Sequence, residues 1–103
     1  MNPVWIVDDD SSIRWVLEKA LSKKSVACEI FSNPLQVMDA LEKEIPRVLI
    51  SDIRMPGKSG LVLLDQVKSK FPDLPVIIMT AFSDLDNAVS SFQGGAYEYL
   101  PKP

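Results

Sequence analysis

Short β-branched runs alternate with longer segments of helical period along this chain, and this alternation constrains its fold more than any other feature. The runs with the length of strands are 3–7, 26–31, 47–50, 75–79 and 96–100. Apolar residues recur at intervals of three and four within the intervening segments 13–21, 37–41, 61–71 and 85–92. Strands that alternate with single helices predict right-handed crossovers and a parallel sheet covered by helices on both faces. The expected fold is α/β, a doubly wound five-stranded parallel sheet of order 2-1-3-4-5.

Local start and stop signals agree with these boundaries. Four residues are predicted to cap the amino ends of the helices: Ser11, Asn33, Ser59 and Asp84. Helix-ending residues follow three of the segments: Pro46, Pro72 and the pair Gly94-Gly95. The chain has 103 residues, of which 47% are hydrophobic and 24% charged. These values suit one globular domain, so residues 1–103 are assigned to a single domain.

Composition also narrows the function classes. No apolar stretch approaches the roughly 20 residues that cross a bilayer, and the first residues lack the pattern of a secretory signal, which predicts a cytoplasmic protein without membrane contact. The net charge of −3 without a Lys/Arg cluster argues against direct nucleic-acid binding. The absence of histidine excludes Ser/His/Asp catalysis and His-ligated zinc. A lone cysteine, Cys28, excludes a disulfide framework and is predicted to be a packed thiol.

Three consecutive aspartates follow the first predicted strand. In open α/β sheets the site lies beyond the carboxyl ends of the strands, where the strand order reverses, which here is between the first and third strands. Asp8 and Asp9 follow the first strand and Asp52 follows the third, so these side chains should lie together. Carboxylates at close range repel one another, and a hard divalent cation with oxygen ligands relieves that repulsion. We therefore predict a Mg²⁺ site, whereas Asp10 is predicted to cap the next helix.

Two further polar residues are expected at the same edge of the sheet. Thr80 ends the fourth predicted strand, and Lys102 follows the fifth within the segment LPKP. A hydroxyl and an ammonium beside a carboxylate–Mg²⁺ cluster can neutralise the oxygens of a transferring phosphoryl group. The prolines on either side of Lys102 hold its backbone extended, although a plain surface lysine is the alternative interpretation.

Taken together, these motifs resemble a known family. VDDD, SDIRMPGKSG, MTA and YLPKP span nearly the whole chain, and in this order the chain resembles a response-regulator receiver domain, the phospho-acceptor half of a bacterial two-component system. The stretches DDDSSIRWVL and LPVIIMTAFSDLDNAVSSFQGGAYEYLPKP are most similar to the NtrC type of nitrogen regulation protein. In that type the receiver controls an ATPase that opens promoter complexes of an alternative sigma factor. The resemblance implies a flavodoxin-like (CheY-like) fold.

The resemblance also implies how the acidic residues are used. Asp52 would be phosphorylated by a separate sensor histidine kinase, Asp9 would bind Mg²⁺ directly and Asp8 would bind it through water. The backbone carbonyl of Arg54 would complete the protein's share of the coordination. The domain would be no enzyme beyond catalysing its own phosphorylation and dephosphorylation, and its partners would include the ATPase and DNA-binding output domains of its own longer chain.

A switch is implied at the other end of the site. Thr80 and Lys102 would contact the phosphoryl oxygens, and Tyr99 would be the aromatic residue whose rotation follows Thr80. Phosphorylation could shift the two states only through its differential contacts with them. Segment 82–93 is the element expected to move.

Two other functions are compatible with parts of this pattern. A haloacid-dehalogenase-type phosphatase also places an aspartate nucleophile after its first strand, and Asp8 and Asp10 with Thr80 and Lys102 imitate three of its motifs. It would lack its acidic fourth motif and would leave Asp52 without a role. The other alternative is a binding module that keeps the site but signals through dimerisation without phosphorylation.

The carboxyl end of the sequence raises a further expectation. A receiver of this type should carry a fifth helix of roughly 15 residues after the Lys-Pro turn, packed beside the first helix, and this sequence ends at Pro103. Burial of apolar surface contributes about 25 cal/mol per Å², so uncovering a few hundred Å² would cost several kcal/mol. We therefore expect either a fragment of a longer chain or a chain that covers this surface with a partner. If the chain ends at Pro103, it is expected to form a homodimer or to exchange elements between copies, with Tyr97 and Leu100 among the contacts.

Overall fold

Five parallel strands form one sheet in the order β2-β1-β3-β4-β5. The computed structural model describes residues 3–53, 60–80 and 95–101, the last three as backbone alone. The strands are β1 (Val4–Val7), β2 (Cys28–Phe31), β3 (Val48–Asp52), β4 (Val76–Thr80) and β5 (Glu98–Pro101). The helices are α1 (Ser11–Lys23), α2 (Pro34–Leu41) and α3 (Gly60–Lys70). The predicted sheet and its order are confirmed, and the predicted helix over 85–92 lies outside the described residues.

Capping side chains explain where the first two helices begin. The carboxylate of Asp10 accepts a hydrogen bond from the Ser12 amide at 2.8 Å, which confirms Asp10 as a cap. Ser11 is therefore the first residue of α1, and its prediction as the cap was wrong by one position. The side chain of Asn33 accepts from the Gln36 amide at 3.0 Å, as predicted. The predicted caps Ser59 and Asp84 lie outside the described residues.

The core forms on both faces of β1, which lies between β2 and β3. All four residues of β1 are buried, and successive side chains of a strand point to opposite faces. Trp5 and Val7 belong to a core cluster that includes residues of α2 and α3, and the rings of Trp5 and Phe31 lie 5.0 Å apart. Val4 and Ile6 are buried on the opposite face, and α1 contacts β1 and β2. This burial holds the carboxyl ends of the central strands in fixed positions.

Some apolar side chains remain exposed. Trp15 and Val16 on α1 are 58% and 39% exposed, and no residue of α1 is fully buried. Tyr97, just before β5, is 72% exposed. The homodimer expected through this part of the molecule stays a prediction. Within the described ranges, no helix is long and apolar enough to cross a bilayer.

The thiol of Cys28, at the start of β2, is predicted to react slowly. Burial raises the pKa of Cys28 above its ordinary value, and the nearby Glu18 carboxylate raises it further. Because the thiolate is the reactive form, we expect iodoacetamide to alkylate the native protein several-fold more slowly, on the order of 3- to 10-fold, than the urea-unfolded chain just above neutral pH. Glu18→Gln should speed the native reaction slightly. Equal rates in the native and unfolded protein would contradict this.

Candidate functional site

Polar residues end or directly follow three neighbouring strands at the carboxyl edge of the sheet. Val7, the last residue of β1, is in register with Ser51 of β3, so Asp8 and Asp52 come next on adjacent strands. Thr80 ends β4, on the other side of β3. Because all these strands run parallel, their carboxyl ends meet at one edge, and this edge includes the point where the strand order reverses.

Three carboxylates converge at this edge. Asp8, Asp9 and Asp52 each offer one carboxylate oxygen, and these oxygens all lie within 4.8 Å of one another. Asp8 and Asp52 are buried, whereas Asp9 is exposed. Negative charges this close together repel, and burial makes that repulsion more costly. Carboxylate oxygens are the ligands that a hard divalent cation such as Mg²⁺ prefers, so these three residues fit such an ion.

Backbone and side-chain hydrogen bonds hold the turn between β1 and α1. The Asp8 amide donates to the Phe31 carbonyl at 3.2 Å, which continues the β1–β2 pairing by one residue. The Asp8 carboxylate accepts from the Asp10 amide at 2.9 Å. The guanidinium of Arg14, through Nη1, donates to the backbone carbonyl of Asp8 at 2.6 Å. Asp8 is therefore held through its amide, its carboxylate and its carbonyl.

The backbone that follows the Asp52 carboxylate is held equally closely. The Ile53 amide donates to the carbonyl of Met79 at 3.0 Å, and the Gly60 amide donates to the Ile53 carbonyl at 2.8 Å. The hydroxyl of Ser51 donates to the Asp52 carbonyl at 3.0 Å. A Cβ atom at Gly60 would lie 2.1 Å from the same Asp52 carbonyl oxygen, so α3 begins where only a glycine fits.

The remaining predicted site residues are placed only in part. Thr80 is buried, at 6% exposed, and its backbone is in register with Pro101 of β5. Arg54 and Lys102 lie outside the described residues, as does the segment 82–93. Tyr99 belongs to β5 and is in register with Ile78, but its side chain lies outside the description.

Two residues that the sequence did not single out take part in this site. Arg14 contacts the Asp8 carbonyl, and Gly60 lies against the Asp52 carbonyl. Arg14 lies four residues after Asp10, and that spacing of one helical turn was the available signal. For Gly60 the available signal was the glycine itself. The start of a helix ordinarily accepts a residue with a side chain, so a glycine there indicates a close neighbour.

An open parallel sheet with an acidic cluster where its strand order reverses is the arrangement expected of a receiver domain. The model of the response regulator receiver domain family matches residues 4–103, and the chain belongs to this family. The predicted family and fold class are thereby confirmed.

Among the relatives, the DNA-binding transcriptional regulator NtrC of Escherichia coli K12 is 62% identical over 100 residues, which are 97% of this chain and 21% of that protein. The chain thus spans about a fifth of the length of such curated relatives. A solution structure of the apo receiver domain of Nitrogen Regulatory Protein C is 61% identical with a TM-score of 0.88, and its BeF3-activated form has a TM-score of 0.83. Each alignment covers 99% of this chain and 82% of the other.

Proposed function

We propose that residues 1–103 form one receiver domain that accepts a phosphoryl group onto Asp52 from a sensor histidine kinase. The observation that carries this proposal is the buried Asp52 carboxylate, which lies within 4.8 Å of carboxylate oxygens of Asp8 and Asp9 at the carboxyl edge of the sheet. Membership of the receiver family supports the same assignment. The phosphorylated form would then switch a transcription-activating output.

In this proposal the acidic residues bind the cation and provide the nucleophile. Asp8, Asp9, Asp52 and the backbone carbonyl of Arg54 would hold Mg²⁺. When bound, Mg²⁺ supplies positive charge that offsets the repulsion between these carboxylates and the incoming phosphoryl oxygens. A carboxylate oxygen of Asp52 attacks the phosphorus in line, and the P–N bond to the donor imidazole breaks. The imidazole nitrogen leaves with the electron pair, and an acyl phosphate remains on Asp52.

The response to phosphorylation would begin at the neighbouring strand ends. The hydroxyl of Thr80 and the ammonium of Lys102 would contact the phosphoryl oxygens, and Tyr99 would turn towards the space that Thr80 leaves. These contacts differ between the two forms of the domain, and that difference is what allows a local charge change to shift a conformational equilibrium.

The output would be the control of transcription in response to nitrogen, because the NtrC relatives are named as DNA-binding transcriptional regulators and a similar solved receiver domain is named as part of Nitrogen Regulatory Protein C. The partners would be the sensor kinase and the ATPase and DNA-binding domains of the longer protein, with a homodimer as a further possible assembly. This domain itself would bind no nucleic acid and would catalyse only its own phosphorylation and dephosphorylation. Its place would be the cytoplasm, where the DNA lies.

The test is incubation with acetyl phosphate and MgCl₂ followed by intact-mass analysis. We expect one phosphoryl adduct on the wild type, none on Asp52→Asn, and none in EDTA. Asp39→Asn, at an exposed position of α2, is the matched control and should form the adduct normally. Turnover of the donor that survives Asp52→Asn and requires Asp8 would indicate the phosphatase instead. A wild type without any adduct would favour the phosphorylation-independent module.

A further inference from the structure

We propose that Arg14 is a positioning residue that holds the acidic turn, residues 8–10, in the arrangement that binds the cation. This inference rests on the proposed function and assigns to it a residue outside the carboxylate cluster. The bond that carries it runs from Nη1 of Arg14 to the backbone carbonyl of Asp8 and is 2.6 Å long. Arg14 is itself partly buried, which limits competition from water for this bond.

Arg14 holds the acidic turn at both ends. Its backbone amide donates to the Asp10 carbonyl at 3.1 Å, which starts the hydrogen bonding of α1. Its side chain reaches back to the carbonyl of Asp8, and the Asp10 amide bonds to the Asp8 carboxylate at 2.9 Å. These three bonds close a ring through Asp8, Asp10 and Arg14. The orientation of the Asp8 carboxylate therefore depends on the position of the Arg14 side chain.

The charge and the hydrogen bond of Arg14 act on cation binding in opposite directions. A guanidinium that is hydrogen-bonded to the backbone of a cluster residue lowers the local negative potential, so the charge by itself weakens the attraction for Mg²⁺. The hydrogen bond orders the backbone that presents Asp8, and ordering a ligand before binding strengthens metal affinity. Removing Arg14 should therefore tighten binding if the charge dominates and weaken it if positioning dominates. A short bond to the carbonyl of a ligand residue favours positioning.

A purely structural role makes a third, distinct prediction. If the bond only attaches α1 to β1, its loss lowers the melting temperature and leaves the affinity of the folded protein for Mg²⁺ unchanged. The affinity of the folded protein for Mg²⁺, measured well below the melting temperature, thus separates positioning from the charge effect and from a purely structural role.

The experiment is a MgCl₂ titration followed through the amide resonances of Asp10 and Ser12. Arg14→Met removes the charge and the donor, and Arg14→Lys keeps the charge and offers a single donor group of similar reach. Lys23→Met, at an exposed position in the last turn of α1, removes an equal charge far along the helix and serves as the control. We expect Mg²⁺ to bind Arg14→Met roughly tenfold more weakly than wild type, with partial recovery in Arg14→Lys and no change in Lys23→Met.

Hydrogen exchange in EDTA gives a readout that does not need the cation. The amide of Asp10 should exchange faster in Arg14→Met than in the wild type. Equal or tighter Mg²⁺ binding by a folded Arg14→Met protein would overturn the positioning role while the proposed function stands. A wild type that binds no Mg²⁺ at millimolar concentration would overturn both, because there would be no cation site to position.

Discussion

Asp52→Asn is expected to raise the melting temperature of the Mg²⁺-free protein and to remove most of the stabilisation that Mg²⁺ gives to the wild type. Asp8 and Asp52 are buried, and with Asp9 they bring three carboxylate oxygens within 4.8 Å. Two unit charges 4 Å apart at an effective dielectric constant of about 20 repel by roughly 4 kcal/mol, which sets an upper scale. An asparagine keeps the shape of the side chain and removes this repulsion.

The effect of the cation on the wild type follows from mass action. A ligand that binds only the native state at about ten times its dissociation constant adds roughly 1.4 kcal/mol to the free energy of unfolding. The melting temperatures of the wild type and of Asp52→Asn, measured in EDTA and in millimolar MgCl₂, should therefore differ less when the cation is present. Asp39→Asn is the control for loss of one exposed carboxylate and should keep the full response to Mg²⁺. The shared site would be contradicted if Asp52→Asn had a lower melting temperature than the wild type in EDTA and still gained the full wild-type increase on addition of Mg²⁺.

The sheet could be predicted because its signals are local and repeated. Strands β1 and β4 are short, mostly buried apolar runs, and buried parallel strands need no alternation of polar residues to be recognised. The approach of Asp8 to Asp52 then followed from topology alone, since parallel strands share one edge. Local signals did not decide which residue caps the amino end of α1, because Asp10 and Ser11 are both good capping residues. The structure shows that the Asp10 side chain accepts a hydrogen bond from the Ser12 amide.

The parts that could not be predicted depend on how one element approaches another. The reach of Arg14 to the Asp8 carbonyl depends on the angle between β1 and α1 and on the rotamer of a long side chain. The need for glycine at position 60 depends on the distance from the start of α3 to the end of β3. Neither distance is encoded in hydrophobic periodicity, which reports faces and lengths of elements but not their separation.

Gly60→Ala is expected to destabilise the protein strongly, although the same change favours helices by about 1 kcal/mol in general. The new Cβ would lie 2.1 Å from the Asp52 carbonyl oxygen and 2.8 Å from the Cα of Ile53, and both neighbours are backbone atoms. The start of α3 would have to move away, at a cost of roughly 3 kcal/mol, and the 2.8 Å bond from Gly60 to Ile53 would be lost. Urea unfolding monitored by circular dichroism measures this loss.

The same displacement should also reach the chemistry, and this separates Gly60→Ala from a substitution that only lowers stability. Since the Asp52 carbonyl and its carboxylate belong to one residue at the end of β3, moving the carbonyl redirects the side chain that attacks the phosphorus. We expect folded Gly60→Ala protein to form the acetyl phosphate adduct more than about tenfold more slowly, because small misplacements of a nucleophile are costly. Ser69→Ala, at an exposed position on the same helix, is the matched control and should unfold and react like the wild type. Wild-type stability in Gly60→Ala would mean that α3 can begin farther from Asp52 at no cost, and the site would then be held by the strand ends and the acidic turn alone.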